Sequence, residues 1–250
     1  MKRSLITVLA MLLVTPMASA FESAFSAEAV QTAPGMEPTR MKFYVASSKA
    51  VRMEMQTPRG EIIQQYFPGS GLLRVIYPAQ RQYIEQKSPA PLALPGEVVT
   101  NPCDQMPDAK CENLGEEAVG EQLAVHWRVT RQGPDNESQA MEQWLDKKRG
   151  VPLRQIFPNG ARIDANLTGV EAINGRQAER WEIVMTPKNG QTQTGIQWHD
   201  TELDVTIRES LPNGSIRELV NINVSEPDAS LFEIPAGFNK LEVPSQEPRR

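Results

Sequence analysis

The chain has 250 residues, 40% hydrophobic and 23% charged, with 26 Lys and Arg against 31 Asp and Glu and a formal net charge of −5. That composition excludes a disordered chain, a collagen-like repeat and a polytopic membrane protein. The basic runs are short, Lys147-Lys148-Arg149 and Arg249-Arg250, so the concentrated cationic face that nucleic-acid binding requires is not visible and no nucleic-acid partner is expected.

Lys2 and Arg3 precede an uncharged run from Leu5 to Val14, followed by Pro16 and the triplet Ala18-Ser19-Ala20. A basic start, a short apolar core and an A-x-A site together read as a secretory signal, residues 1–20, cleaved after Ala20. The apolar run is too short for a bilayer that needs about 20 residues as a helix. A periplasmic or secreted protein is therefore expected, not membrane-spanning once the leader is removed.

From there, period-two alternation recurs and no helical period of useful length appears. Val51, Met53 and Met55 share one side of a strand, with Arg52, Glu54 and Gln56 on the other. Val125, Trp127 and Val129 alternate with His126, Arg128 and Thr130; Ala161, Ile163, Ala165 and Leu167 with Arg162, Asp164, Asn166 and Thr168; Trp181, Ile183 and Met185 with Arg180 and Glu182. Such one-sided strands belong to antiparallel sheets with one wet face. Asn-Gly pairs begin at Asn159, Asn174, Asn189 and Asn213, and each is expected to make a type I′ hairpin turn, where both central residues take positive φ.

Residues 41–86 read as about five strands. Residues 87–115 hold five prolines and both cysteines and are expected to form an irregular loop, of a length that suits a lid or a linker. In an oxidising compartment Cys103 and Cys111, eight positions apart, are expected to pair. One β-rich domain over residues 21–241 and a polar tail over 242–250 complete the organisation. Near its end, Pro227-Asp228-Ala229-Ser230-Leu231-Phe232 reads as one helical turn.

An internal repeat lies in the second half. Gln143-Trp144-x-Asp146, Val151-x-x-Arg154 and Pro158-Asn159-Gly160 recur as Gln197-Trp198-x-Asp200, Val205-x-x-Arg208 and Pro212-Asn213-Gly214. Eight of eighteen aligned positions are identical. Two copies are too few for a solenoid or a propeller, so one hairpin design used twice in a single sheet is expected.

Several stretches resemble LolA-like secreted proteins, a superfamily that includes outer-membrane lipoprotein carriers and domains of unknown function. They are Phe25-Ser26-Ala27-Glu28-Ala29-Val30-Gln31-Thr32, Lys49-x-Val51-Arg52-Met53-Glu54-Met55, Val75-Ile76-Tyr77-Pro78 with Tyr83, the Trp-x-Asp strand with Pro152-Leu153-Arg154, and the closing segment from Pro227 to Phe238. The resemblance implies a mainly β fold: a single antiparallel meander sheet curved into an unclosed half-barrel, with few short helices. It also implies an apolar concavity, which in the carriers receives acyl chains. This chain departs from the carriers in lacking clear helices to plug the mouth and in carrying the stapled loop.

Motifs for chemistry are sparse. The two histidines, His126 and His199, are distant in sequence and the cysteines are expected to be bonded, so no metal site is expected. No Gly-x-Ser-x-Gly elbow, Gly-rich phosphate loop or calcium loop occurs. No catalytic residue and no cofactor are assigned, and a non-enzymatic role is expected. A lone bent sheet must cover its apolar face, because exposed apolar area costs about 25 cal/mol per Å². A hydrophobic ligand or acyl chain is the first expectation, with Val51, Met53, Met55, Val125, Trp127, Val129, Trp181, Ile183 and Met185 as its lining. An envelope protein partner is the second, and a secreted hydrolase the third.

Overall fold

The computed structural model describes residues 23–87, 100–106, 108–133 and 137–242. The leader with its cleavage site, most of the proline-rich excursion and the tail from residue 243 lie outside the described residues. Within them the regular structure is β1 (Phe25–Thr32), β2 (Thr39–Val45), β3 (Val51–Thr57), β4 (Gly60–Phe67), β5 (Leu72–Tyr77) and β6 (Gln82–Lys87). Then follow β7 (Lys110–Val119), β8 (Gln122–Gln132), β9 (Ser138–Asp146), β10 (Pro152–Ile156), β11 (Arg162–Ile173) and β12 (Arg176–Thr186). The series ends with β13 (Gln193–Asp200), β14 (Val205–Ser210), β15 (Ile216–Asn223) and the two-residue β16 (Asn239–Lys240). Among the described residues there is no α-helix, only short 3-10 turns, including the expected one at Ala229–Phe232, capped by Asp228.

All sixteen strands form one open sheet in the order β16-β6-β5-β4-β3-β2-β1-β15-β14-β13-β12-β11-β10-β9-β8-β7. It is an unclosed half-barrel built from two meanders. One runs outward from β1 to β6; the other starts at the far edge with β7 and runs inward to β15, which pairs antiparallel with β1. β6 and β7, consecutive in the chain, thus lie toward opposite ends of the sheet, with β16 outside β6. Every pair is antiparallel except β16, which lies parallel on β6. β7 begins at Lys110, so residues 110–115 are strand and not loop. A bulge between Asn113 and Gly115, with Gly115 at φ 111°, shifts the phase of the strand and conceals its alternation. The cysteines are joined. Because Cys111 is the cross-strand partner of Val129, the bond fastens the turn Pro102–Gln105 to the side of the sheet that carries Val129.

The internal repeat is a real duplication and longer than its identities suggest. β9–β10 and β13–β14 are matching hairpins. Asp146 accepts from the amides of Lys148 and Arg149, and Asp200 from those of Glu202 and Leu203. Arg154 lies over Trp144 and Arg208 over Trp198. The two indole N–H groups donate to Glu117 and Glu171, also 54 positions apart. The Gly115 bulge has its counterpart at Gly169, and Ala124 and Ala178 are both fully buried. The unit is thus four strands, β7–β10 and β11–β14, which makes Trp127 and Trp181 equivalent positions.

Of the four Asn-Gly pairs only Asn174-Gly175 has positive φ at both residues, 51° and 80°. At Pro158-Asn159-Gly160 and Pro212-Asn213-Gly214 only the glycine is left-handed, and its amide bonds back to Phe157 or Leu211. The proline fixes a negative φ at the first corner, which selects a type I turn closed by a left-handed glycine instead of the mirror-image turn. At Asn189-Gly190 likewise only the glycine has positive φ.

Candidate functional site: the apolar face of the sheet

Directly opposed residues of neighbouring strands share a face, as do residues two apart along a strand. Val51 faces Val45, which faces Phe25; Met53 faces Phe43, which faces Ala27; and Met55 faces Met41, which faces Ala29. Ala29 faces Leu219, and two residues along β15 Arg217 faces Glu209, which faces Gln197, which faces Trp181. Ile183 and Met185 follow on β12. Met185 faces Ile163, then Gln155, Gln143 and Trp127 in succession, with Val125 and Val129 on either side of Trp127. No bulge interrupts this path. All nine nominated lining residues therefore stand on one face, although they span the sheet from β3 to β8.

They do not form a single cluster. Val51, buried, and Met53 belong to a centre made by Phe25, Ala27, Val45 and Leu203, with Phe43 and Leu219 packed against it. Trp181, 1% exposed, and Ile183 belong to a second centre with Ala165, Leu153 and Leu167. Val129 is buried; Met55, Val125, Trp127 and Met185 are half-buried. Between the centres runs a polar row that the periodicity did not announce. Gln197, 3% exposed, donates from Nε2 to Glu209 Oε1 at 3.0 Å, and Arg217 Nη1 donates to Glu209 Oε2 at 3.3 Å.

Two hairpin side chains lie across this face. Leu203, in the β13–β14 connection, is 1% exposed within the first centre, which the curvature of the sheet brings within its reach. Arg149, in the β9–β10 connection, lies over the Trp181 ring at 5.7 Å and donates to Glu179 Oε1 at 2.7 Å. Trp181 Nε1 donates to the other oxygen of the same carboxylate at 3.2 Å. Arg149 and Leu203 occupy equivalent positions of the repeat but are not identical, so matching identities passed over them.

The opposite face is charged. Arg52–Glu54 at 2.8 Å, Arg74–Glu85 at 2.9 Å and Arg154–Asp164 at 2.8 Å are ion pairs on it. Burial opposes ionisation of Asp164, but Arg162 and Arg154 outweigh it and hold the carboxyl below the usual range. The closing segment packs on this side, where Gln65 Nε2 donates to Leu231 O at 2.7 Å and Arg74 Nη1 to Phe232 O at 3.1 Å.

The two histidines have separate structural settings. His126 stacks on Trp144, ring centres 3.9 Å apart. His199 Nε2 lies 2.9 Å from Asp204 Oδ1, while the adjacent Asp200 is bonded to Arg176. No group of three or more metal-ligating side chains occurs among the described residues, and none of their helices is long and apolar enough to cross a membrane. Two open depressions, of about 570 and 330 Å³, are lined by none of the nine residues; the first lies at the ends of β7 to β9, the second by the β8–β9 rim at Gln122, Leu123 and 146–149.

No protein-family model and no curated protein matches the sequence. Solved structures similar to this one include a LolA superfamily protein from Nitrosomonas europaea, at 13% identity and TM-score 0.36 over 86% of this chain and 92% of that one. A DUF1329 family protein from Desulfovibrio piger is similar at 14% identity and TM-score 0.34, over 85% and 90%. The MucA/MucB complex of Pseudomonas aeruginosa contains a chain similar at 12% identity and TM-score 0.22, over 83% and 95%. At identities and TM-scores this low the likenesses bear on neither ligand nor activity.

Proposed function

We propose that the protein is an exported, non-enzymatic binding protein of the cell envelope that holds a lipid, an acylated molecule or another hydrophobic ligand against the apolar face of its half-barrel. The observation that carries this reading is the unbroken cross-strand path placing Val51, Met53, Met55, Val125, Trp127, Val129, Trp181, Ile183 and Met185 on one side of an open sheet. The flexible thioethers of Met53, Met55 and Met185 suit a surface that moulds around varied chains. An export signal and a disulfide agree with an oxidising compartment outside the cytoplasm. The test is native mass spectrometry of the exported protein, with organic extraction of the same sample. Co-purifying lipid, lost on substituting Met55→Glu, is the expected result; a ligand-free protein that takes up no added lipid overturns it.

A second reading, docking of another envelope protein, is favoured by one feature. β7 is an edge strand of ten residues, and most of it is exposed, so it offers unpaired backbone groups to an added strand. Affinity capture from envelope extract, run beside the lipid extraction, separates the two.

A further inference from the structure

The four Asn-Gly pairs share a reactive sequence, because a glycine has no side chain to screen its amide nitrogen from the carboxamide of the asparagine before it. The structure treats the four differently. In the two turns led by a proline both reacting groups are engaged. Asn159 Oδ1 accepts from Ala161 N at 2.9 Å, and Asn213 Oδ1 from Ser215 N at 3.0 Å, the local bond that asparagine makes to the backbone two residues on. The attacking nitrogens are held as well: Gly160 N donates to Phe157 O at 2.8 Å and Gly214 N to Leu211 O at 3.0 Å. At Asn174-Gly175 the carboxamide is tethered from its other end, Asn174 Nδ2 donating to Leu219 O of β15 at 3.5 Å.

Asn189-Gly190, in the connection between β12 and β13, has none of these restraints. Residues 186–194 are exposed throughout. Neither the Asn189 carboxamide nor the Gly190 amide bonds to any described residue, and the contact that closes the connection, between Thr186 Oγ1 and Thr192 Oγ1 at 3.5 Å, flanks the pair without touching it. A connection so placed changes conformation at little cost, so the carboxamide carbon is free to approach the next nitrogen.

We propose that Asn189 is a site of spontaneous covalent modification, the position at which the folded protein deamidates first. Gly190 N gives up its proton to solvent base and bonds to Cγ of Asn189. The Cγ–Nδ2 bond breaks, and the nitrogen takes a proton from water and leaves as ammonia. Water then opens the resulting succinimide at one carbonyl or the other, leaving aspartate or isoaspartate. Either product places a new negative charge on the β12–β13 connection, and isoaspartate also lengthens the backbone there. The site does not depend on what the apolar face holds.

The test is peptide mapping of the full exported protein after incubation in mildly alkaline buffer, with isoaspartate detected by enzymatic methylation, beside the same incubation in urea. In the folded protein Asn189 should convert first. Asn159 and Asn213 should convert about tenfold more slowly, since two neutral hydrogen bonds must be given up before their rings can close, and Asn174 should lie between. In urea, where the turns are gone, the four rates should converge. Asn189→Gln should remove the early product and leave the unfolding curve unchanged, as expected of an exposed position without partners. Equal rates at Asn189 and Asn159 in the folded protein, or a difference that persists in urea, overturn the assignment.

Discussion

Asp200 shows how much one side chain can organise. It is 1% exposed, paired with Arg176, and accepts from the amides of Glu202 and Leu203, so it forms the connection that delivers Leu203 to the first apolar centre. Burial opposes its ionisation, but Arg176 and the two amides outweigh that cost and hold its carboxyl below the ordinary carboxylate value. Asp200→Asn should cost about 2 kcal/mol at neutral pH, since it removes the charge from a buried acceptor of Arg176 and of two amides, while Arg176 keeps Glu202 at 2.8 Å. The sign of the pH dependence follows from the depressed folded value. The stabilisation is complete above the unfolded value near about 3.9 and is lost as pH falls through the folded one. Urea unfolding at a series of pH values should therefore give a constant gap between wild type and variant near neutrality and a shrinking gap in acid. Leu203→Ala should cost about 3 kcal/mol through the cavity left among Phe25, Val45 and Val51, read from the same unfolding curves.

At the scale of single elements, alternation made β3, β8 and β12 legible, because half-buried antiparallel strands advertise themselves by a period of two. It failed for β7 because Gly115 adds a residue and reverses the phase midway. The same device at Gly169 limited β11 to its first half, which is the part that alternates visibly from Arg162 to Leu167. Turn chemistry was read correctly as to place and wrongly as to type wherever a proline preceded the Asn-Gly pair. These turns predict an asymmetry. An added Cβ at Gly214, φ 80°, would sit 3.2 Å from Pro34 Cγ, whereas at Gly160, φ 81°, it would meet only the pliable Lys188 chain at 3.5 Å. Left-handed backbone costs an alanine about 1–2 kcal/mol, so Gly214→Ala should lower the melting temperature more than Gly160→Ala. The staple belongs to this scale too. Cys111→Ser should destabilise by about 2–3 kcal/mol, and wild type treated with a reductant should approach the variant in the same thermal melt.

For the whole molecule, antiparallel β-structure and one side of each principal strand were accessible from residue pattern, the half-barrel came from the family resemblance, and together they were enough to nominate nine residues that share a face. What the pattern could not supply was the long-range neighbourhood. Gln197 and Glu209 read as unremarkable polar positions until the register sets them beside Arg217, from a strand further along the chain. Trp127 and Trp181 looked alike as apolar strand residues. Only the folded neighbourhood distinguishes Trp181, bonded to Glu179 and covered by Arg149, from Trp127, whose indole N–H is buried without a partner among the described residues.

The meeting of β1 with β15 carries a kinetic consequence. Ser26 finds its partner in Asn223, so the seam between the two meanders cannot close until the chain as far as β15 is available to fold. Each meander is knit from local hairpins and can assemble early, but contacts of such sequence separation come late and slowly. Until then two half-sheets expose their inner edges, which makes β1 and β15 the strands most in need of shielding while the chain folds.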